Sequence, residues 1–394
     1  VGGVWSVSSN PLIESLLSVD STIFLVVYKD PIDKITAYRL ENYTFDNGIE
    51  VLGAFLQPDD KTVYLSVTAL SSGTNYSLDV AGAMQFPFTY VGCGQATFPL
   101  QWEEHLIDGA LPYRSVYILP RHDLDGDGLK DIVTGGWWYK NPGSAAGNWV
   151  QNTIGSPFNN VCWVFDFDGD GDQDLFGTQG QYISADLAWA ENDGFGNFTI
   201  HADLPSGTTS HDEIFPAGVA GGVFQDGGPY QIALTWNGAE DGSSQVQMLT
   251  VPADPVNETW TIENIHPTSI GEGLSAGDID GDGDLDLFQA GNWLRNDGGT
   301  WTLFDTGITF NTLFDRNRLA DFDQDGDLDG VAGQIGTNEE VAWLEAPADP
   351  TQPWTKQVLD SQIDGTLSLG VADMDFDGDD DIIVGEFLGD VKLF

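Results

Sequence analysis

Five stretches of this chain place aspartate at alternate positions: DLDGDGLKD from Asp123, DFDGDGDQD from Asp166, DIDGDGDLD from Asp278, DFDQDGDLD from Asp321 and DMDFDGDDD from Asp373. All keep Asp at positions 1, 3, 5 and 9 and Gly at position 6. Alternate residues of a tight loop can wrap one hard cation in oxygen, and calcium takes about 6–8 such ligands. Position 7 can offer its backbone carbonyl, so its side chain is free to vary. The predicted ligand sets are Asp123, Asp125, Asp127, Leu129 and Asp131; Asp166, Asp168, Asp170, Asp172 and Asp174; Asp278, Asp280, Asp282, Asp284 and Asp286; Asp321, Asp323, Asp325, Asp327 and Asp329; and Asp373, Asp375, Asp377, Asp379 and Asp381. Gly at position 6 admits a left-handed turn that a Cβ would hinder. An EF-hand would need Glu at position 12 and flanking helices. Here position 12 is Thr134, Gly177, Gln289, Ala332 and Val384. Without a cation, carboxylates this close would repel strongly. The expected cofactor is therefore calcium, about five ions, in a structural role.

Each loop runs straight into an apolar, strand-like segment: DIVTGG, DLFGT, DLFQAG, DGVAG and DIIVG. The elements that position the carboxylates are thus strands, and the expected fold class is all-β. The chain carries 62 acidic and 13 basic residues, a net charge of −49. This argues against nucleic acid and anionic membranes as partners. No apolar run is long enough for a transmembrane helix, so no membrane insertion is expected. Calcium loops of this kind point to a secreted or cell-surface protein. The two cysteines, Cys93 and Cys162, make no disulfide framework. They are either one bond or two thiols.

Residues 1–92 lack the loop and read as short alternating strands, among them Thr22–Tyr28, Val51–Leu56, Thr62–Val67 and Tyr76–Val80, separated by turns such as Asp46-Asn47-Gly48. That is a β-sandwich pattern. The sequence Asp30-Pro31-Ile32-Asp33 after a strand, then Asn42-Tyr43-Thr44, then the Leu70…Gly73-Thr74…Tyr76…Leu78…Val80 pattern, resembles bacterial Ig-like domains. The resemblance implies a spacer or packing module. Residues 93–101 read as a linker.

From Trp102 onward the chain repeats. An aromatic opens a short strand at Trp102, Trp149, Phe198, Trp260, Trp301 and Trp354. Another strand ends near a Trp or a turn in WWYKNPG, LAWAEN, NWLRND and VAWLEA. Between Asp166 and Asp278, the segment Val219–Asn237 aligns as a worn copy, with Val223, Gln225, Gly227 and Gln231 where ligand Asp would stand. Six units then fill 102–394. This resembles FG-GAP or VCBS repeats, which implies a β-propeller with a calcium loop between the first two strands of each blade. Six blades are expected, with seven as the alternative. The segment Trp102–Ile107 is expected to close the ring as the missing fourth strand of the last blade.

Such a propeller would bind ligands on the face opposite its calcium loops. Residues expected there are Tyr113, Arg114, Trp138, Tyr139, His211, Asp212, Glu213, Glu272, Arg316 and Arg318. The arginines either bind ligand or pair with the surplus acids. The aromatics either stack on sugar rings or pack between blades. The expected function is capture of, or attachment to, an extracellular glycan or other cell-surface ligand. One alternative is a lyase acting on a uronate-containing polysaccharide, with His211, Tyr113 and Arg114 as the candidate catalytic set. Another is a building block of a surface layer or fibre.

Overall fold

A computed structural model describes residues 4–6, 13–18, 23–32, 34–37, 39–56, 61–68, 70, 74–80, 85–90, 105–110, 113, 117–144, 147–180, 184–207, 215–238, 244–269, 271–310, 314–373, 380–387 and 391–394. Among the described residues the chain is all-β, apart from one α-helical turn and one short 3-10 turn. It divides into a unit spanning Val1–Glu103 with Asp373–Asp379 and a unit spanning Glu104–Ala372 with Asp380–Phe394. Among the described residues no helix is long and apolar enough to cross a membrane.

The first unit holds β1 (Val4–Ser6), β2 (Ile13–Ser18), β3 (Ile23–Tyr28), α1 (Lys34–Ala37), β4 (Tyr43–Phe45), β5 (Val51–Leu56), β6 (Thr62–Val67), β7 (Thr74–Val80) and β8 (Gln85–Tyr90). A five-stranded antiparallel sheet runs β1-β2-β3-β6-β5, and a three-stranded one runs β4-β7-β8. Period-2 alternation sends Phe24, Val26 and Tyr28 of β3 to the same core as Tyr76, Leu78 and Val80 of β7. Phe24 and Phe45 meet edge to face there, with centroids 5.4 Å apart. The Asp46–Gly48 turn takes left-handed conformations at Asn47 and Gly48. It carries the chain from β4 in one sheet to β5 in the other.

The second unit is a succession of antiparallel sheets, each formed by strands that pair in chain order. The first contains β9 (Ile118–His122), β10 (Asp131–Thr134), β11 (Trp137–Lys140) and β12 (Val150–Thr153). The second contains β13 (Asn160–Phe165), β14 (Asp174–Thr178), β15 (Leu187–Asn192) and β16 (Phe198–His201). The third contains β17 (Pro216–Val223), β18 (Tyr230–Trp236), β19 (Val246–Thr250) and β20 (Thr261–His266). The fourth contains β21 (Ser275–Gly277), β22 (Asp286–Phe288), β23 (Asn292–Asp297) and β24 (Thr300–Asp305). The fifth contains β25 (Phe314–Ala320), β26 (Asp329–Gln334), β27 (Glu339–Glu345) and β28 (Thr355–Ile363). The sixth, among the described residues, contains β29 (Thr366–Ala372), β30 (Asp381–Glu386) and β31 (Val391–Leu393).

The apolar cores lie between neighbouring sheets. Val133, Val161 and Leu175 join the first to the second, Trp189 and Trp236 the second to the third, and Leu249 extends that layer. Phe224 and Leu287 join the third to the fourth, Phe288 and Trp354 the fourth to the fifth, and Val331 and Val384 the fifth to the sixth. The first strands also touch in series: β9 with β13, β13 with β17, β17 with β21, β21 with β25 and β25 with β29. Specific bonds cross these layers. Trp163 Nε1 donates to Tyr230 Oη at 2.8 Å, and Ser275 Oγ donates to Asn317 Oδ1 at 2.7 Å.

The worn copy is a full sheet, and its hairpin shows what the missing acids change. Strands β17 and β18 pair as far as Val223 with Tyr230, leaving only Phe224–Pro229 as the turn. Where the acids of the other loops are replaced, strand pairing extends one residue pair into what is loop elsewhere. The expected closing strand is not seen. Trp102–Glu104 lie outside the described residues, while His105, Leu106 and Ile107 form no strand and Leu106 is 78% exposed. A side chain so exposed is not packed against a sheet. The Cys93 half of the cysteine pair also lies outside the described residues. Cys162 is a buried free thiol whose Sγ lies 3.4 Å from the carbonyl of Asn160.

Candidate functional site

The four loops described in full join the first and second strands of their sheets, and the ninth-position Asp opens the second strand each time. Three carboxylates per loop bring ligand atoms within 4.8 Å of one another: Asp123, Asp125 and Asp127; Asp166, Asp168 and Asp174; Asp278, Asp280 and Asp282; Asp321, Asp323 and Asp325. Of the fifth loop, Asp373 and Asp381 are described, whereas Asp375, Asp377 and Asp379 lie outside the described residues.

Backbone amides shape each ring. The first Asp accepts from the position-6 glycine: Gly128 at 2.8 Å, and Gly171, Gly283 and Gly326 at 3.1 Å. Those glycines all have positive φ, as the spacing predicts. Position 4 is left-handed too, in Gly126, Gly169 and Gly281, but the fourth loop has Gln324 there at φ +60°. A Cβ in that region costs roughly 1–2 kcal/mol. Gln324→Gly is therefore expected to raise stability by about 0.5 kcal/mol, after the extra chain entropy of glycine is subtracted. A lower urea midpoint for this variant would contradict the assignment of strain.

The ninth-position aspartates do more than was expected of a ligand. Asp174 accepts Phe167 N at 2.9 Å and Asn192 N at 2.8 Å. Asp286 accepts Ile279 N at 2.9 Å and Asn296 N at 2.8 Å, and Asp131 accepts Leu124 N and Asn141 N in the same manner. Each ties its loop to the third strand. Asp329 keeps one such bond, from Ala346 N at 2.7 Å, and takes Trp343 Nε1 at 2.9 Å as the other. Burial pushes Asp174 and Asp286 up to about 7, against the lowering effect of those amides. Burial, then the surrounding carboxylates, push Asp172 up to about 6. Uncompensated negative charge is thus concentrated in the rings. Three oxygens, Asp125 Oδ1, Asp172 Oδ1 and Asp278 Oδ1, are buried without any hydrogen-bond partner. Orphaned carboxylate oxygens suit a hard cation.

The asparagines that follow the third strands were not anticipated. Asn192 Nδ2 donates to Leu124 O of the preceding sheet's loop at 2.9 Å and to Gln173 O at 3.0 Å, and its Oδ1 accepts Gly196 N. Asn296 repeats this on Phe224 O, Leu285 O and Gly299 N. The residue just before the amide that bonds each ninth-position Asp changes sign from sheet to sheet: Lys140, Glu191, Arg295 and Glu345. Lys140 Nζ bonds Asp125 and, at 2.6 Å, Asp127. Arg295 Nε lies 3.9 Å from Asp280. Glu191 and Glu345 instead add negative charge beside Asp168 and Asp323, both of which are raised first by desolvation.

A second feature is a cavity of about 790 Å³ walled by the first strands of all six sheets. Tyr117 precedes β9, and Trp163, Gly218, Ser275, Arg316, Arg318 and Ser368 come from the strands that follow. Arg316 and Arg318 therefore face this cavity rather than an outer rim. They are two residues apart on β25, so both side chains fall on one face, while Asn317 is buried on the other.

The other expected ligand residues fare differently. Trp138 and Tyr139 are each 3% exposed and offer no open stacking face. Trp138 lies beneath Gly196 of the next sheet, where a Cβ would come within 2.4 Å of its ring. Gly196→Ala, also opposed by φ +76°, is expected to cost about 2–4 kcal/mol in urea unfolding. Tyr139 Oη donates to Asp108 at 2.7 Å. Tyr113 Oη is held by Asn159, its ring meets Trp137 edge to face, and it is not in the cavity wall. Glu272 Oε1 accepts Gly238 N at 3.0 Å. Arg114, His211, Asp212 and Glu213 lie outside the described residues, so the trio of His211, Tyr113 and Arg114 is not assembled by anything observed.

No family model and no curated protein matches this chain. Among solved structures it is similar to an Agrocybe aegerita lectin described as recognising non-reducing terminal N-acetylglucosamine, with 16% identity and a TM-score of 0.46 over 81% of this chain and 87% of that one. It is also similar to a rhamnogalacturonan lyase of Bacillus licheniformis, with 14% identity and a TM-score of 0.41 over 92% of this chain and 71% of that one.

Proposed function

We propose that the second unit is a six-bladed β-propeller of the FG-GAP/VCBS kind, held by calcium in its aspartate loops, that binds an extracellular carbohydrate in its axial cavity. The observation that carries this reading is the cavity itself. One strand from each of six sheets contributes to its wall, and its 790 Å³ falls in the usual range for small-molecule sites. Tyr117 and Trp163 give it aromatic surface and Arg316 and Arg318 give it fixed polar groups, the combination that sugar rings require. Cores between successive sheets and contacts between successive first strands support the radial arrangement.

Calcium would be held by the first, third and fifth aspartates with help from the ninth, supplying positive charge where carboxylates converge. The first unit is proposed as an Ig-like sandwich that acts as a spacer, and the protein as secreted or surface-bound. The test is a glycan array probed with the full chain in calcium. Binding to a defined glycan class is expected. A blank array, together with no binding to cell-surface preparations, would remove the carbohydrate reading. Nothing observed favours the lyase alternative, because the hydroxyl of Tyr113 is committed to Asn159 away from the cavity.

A further inference from the structure

The chain holds six arginines among 62 acidic residues, so a carboxylate partner should be easy to find. Arg318 has none within ion-pair distance among the described residues. Its Nη1 donates to the carbonyl of Asn317 at 2.6 Å, and the rest of the guanidinium faces the cavity. A guanidinium carries five N–H donors in a planar fork. Arg318 is exposed to the cavity, and partial desolvation of its guanidinium, with the nearby Arg316 and Arg121, pushes its pKa down. Arg316 lines the same cavity, with Nη1 bonded to the side chain and, at 2.8 Å, to the carbonyl of its neighbour Asp315. The hydroxyl of Tyr117 is already given to Ala217 O at 2.6 Å, which leaves Arg318 as the group with free donors. Arg318 therefore presents a cation with no acidic partner among the described residues to whatever enters the cavity, while Arg316 is paired with Asp315.

We propose that Arg318, flanked by Arg316, is an oxyanion-recognition point, and that the ligand of the cavity is an acidic sugar presenting a carboxylate or sulfate group. This deepens the carbohydrate reading and rests on it. A planar carboxylate matches the guanidinium fork with two parallel hydrogen bonds, which a lysine cannot reproduce. The surrounding acidic surface then screens for ligands with enough neutral sugar contacts to offset long-range repulsion.

The test uses the full chain with calcium, and titrates galacturonate, inorganic sulfate and neutral galactose by calorimetry and ligand-observed NMR. Wild type is expected to bind galacturonate and sulfate competitively at one site at millimolar concentration. Arg318→Met is expected to weaken galacturonate at least about tenfold, the effect of losing a charge-assisted bond, and to weaken galactose by less. Arg318→Lys should fall between them, since it keeps the charge and loses the fork. Without ligand, Arg318→Met should melt no lower than wild type, because it removes a cation that has no acidic partner. If Arg318→Met does not fold, wild type and Arg318→Lys still decide the matter. Failure of wild type to bind either anion, or equal galacturonate affinity in wild type and variants, overturns the proposal. An array that finds only neutral glycans overturns it too and leaves the carbohydrate reading standing. Anion binding that depends on Arg318 alongside a blank array supports the anion site and removes the carbohydrate reading.

Discussion

Excess chelator is expected to lower the melting temperature of the second unit by on the order of 20 °C. An ion that binds only the folded state stabilises it by about 2.7 kcal/mol when present at a hundred times its dissociation constant. Leaving out the first loop, where Lys140 already bonds two of the carboxylates, three loops treated this way give roughly 8 kcal/mol, and a domain of this size loses about 2–4 °C for each kcal/mol. The loops are also where the chain stores repulsion: Asp172, Asp174 and Asp286 are all held well above the ordinary carboxylate range, chiefly by burial. Removing the cation should therefore loosen the hairpins between first and second strands before the cores between sheets. Differential scanning calorimetry in calcium and in chelator measures the shift. Superimposable melting curves would eliminate calcium as a structural element.

Asn192→Leu and Asn296→Leu are expected to be the most damaging single substitutions away from the apolar cores, at about 3–5 kcal/mol each. The shape is nearly conserved, but two buried carbonyls and one glycine N–H lose their partner at each site. Each unsatisfied buried group costs about 1–3 kcal/mol. One of the lost bonds reaches the preceding sheet, so the damage is not confined to one hairpin. Asn141→Leu provides the control. Its side chain bonds Lys130 O and Gly143 N within its own sheet, and a smaller loss of stability is expected. Equal losses for all three variants in urea unfolding would show that the link between sheets adds nothing.

The aspartate loops were legible because their chemistry dictates spacing: a ring of ligands around one ion permits few arrangements, and the glycine at position 6 follows from the turn. The worn copy was legible for the same reason, since its neighbours set the register. The asparagine clasp was not. Its partners, Leu124 O for Asn192 and Phe224 O for Asn296, are backbone atoms about 70 residues away, and any residue offers a carbonyl. Trp138 was misjudged because the sequence names an aromatic ring but not the glycine of the next sheet that covers it. In the first unit, β3, β6 and β7 were legible as strands, whereas β4 alternates over only three residues, too few to stand out as a strand. Arg316 and Arg318 were recognised as a pair, yet only the placement of β25 turns them from a rim to a cavity wall.

Lys140 gives the first loop a permanent resident. Its ammonium is covalently part of the chain, cannot be chelated or diluted away, and already neutralises Asp125 and Asp127. Arg295 stands 3.9 Å from Asp280 of the fourth sheet's loop, while Glu191 and Glu345 bring further negative charge to theirs, so those two loops would depend most on a dissolved cation. The succession of sheets is therefore expected to be uneven in its dependence on the medium. Some segments are hard-wired and others are conditional, and a protein built this way would come apart from particular seams when calcium runs short.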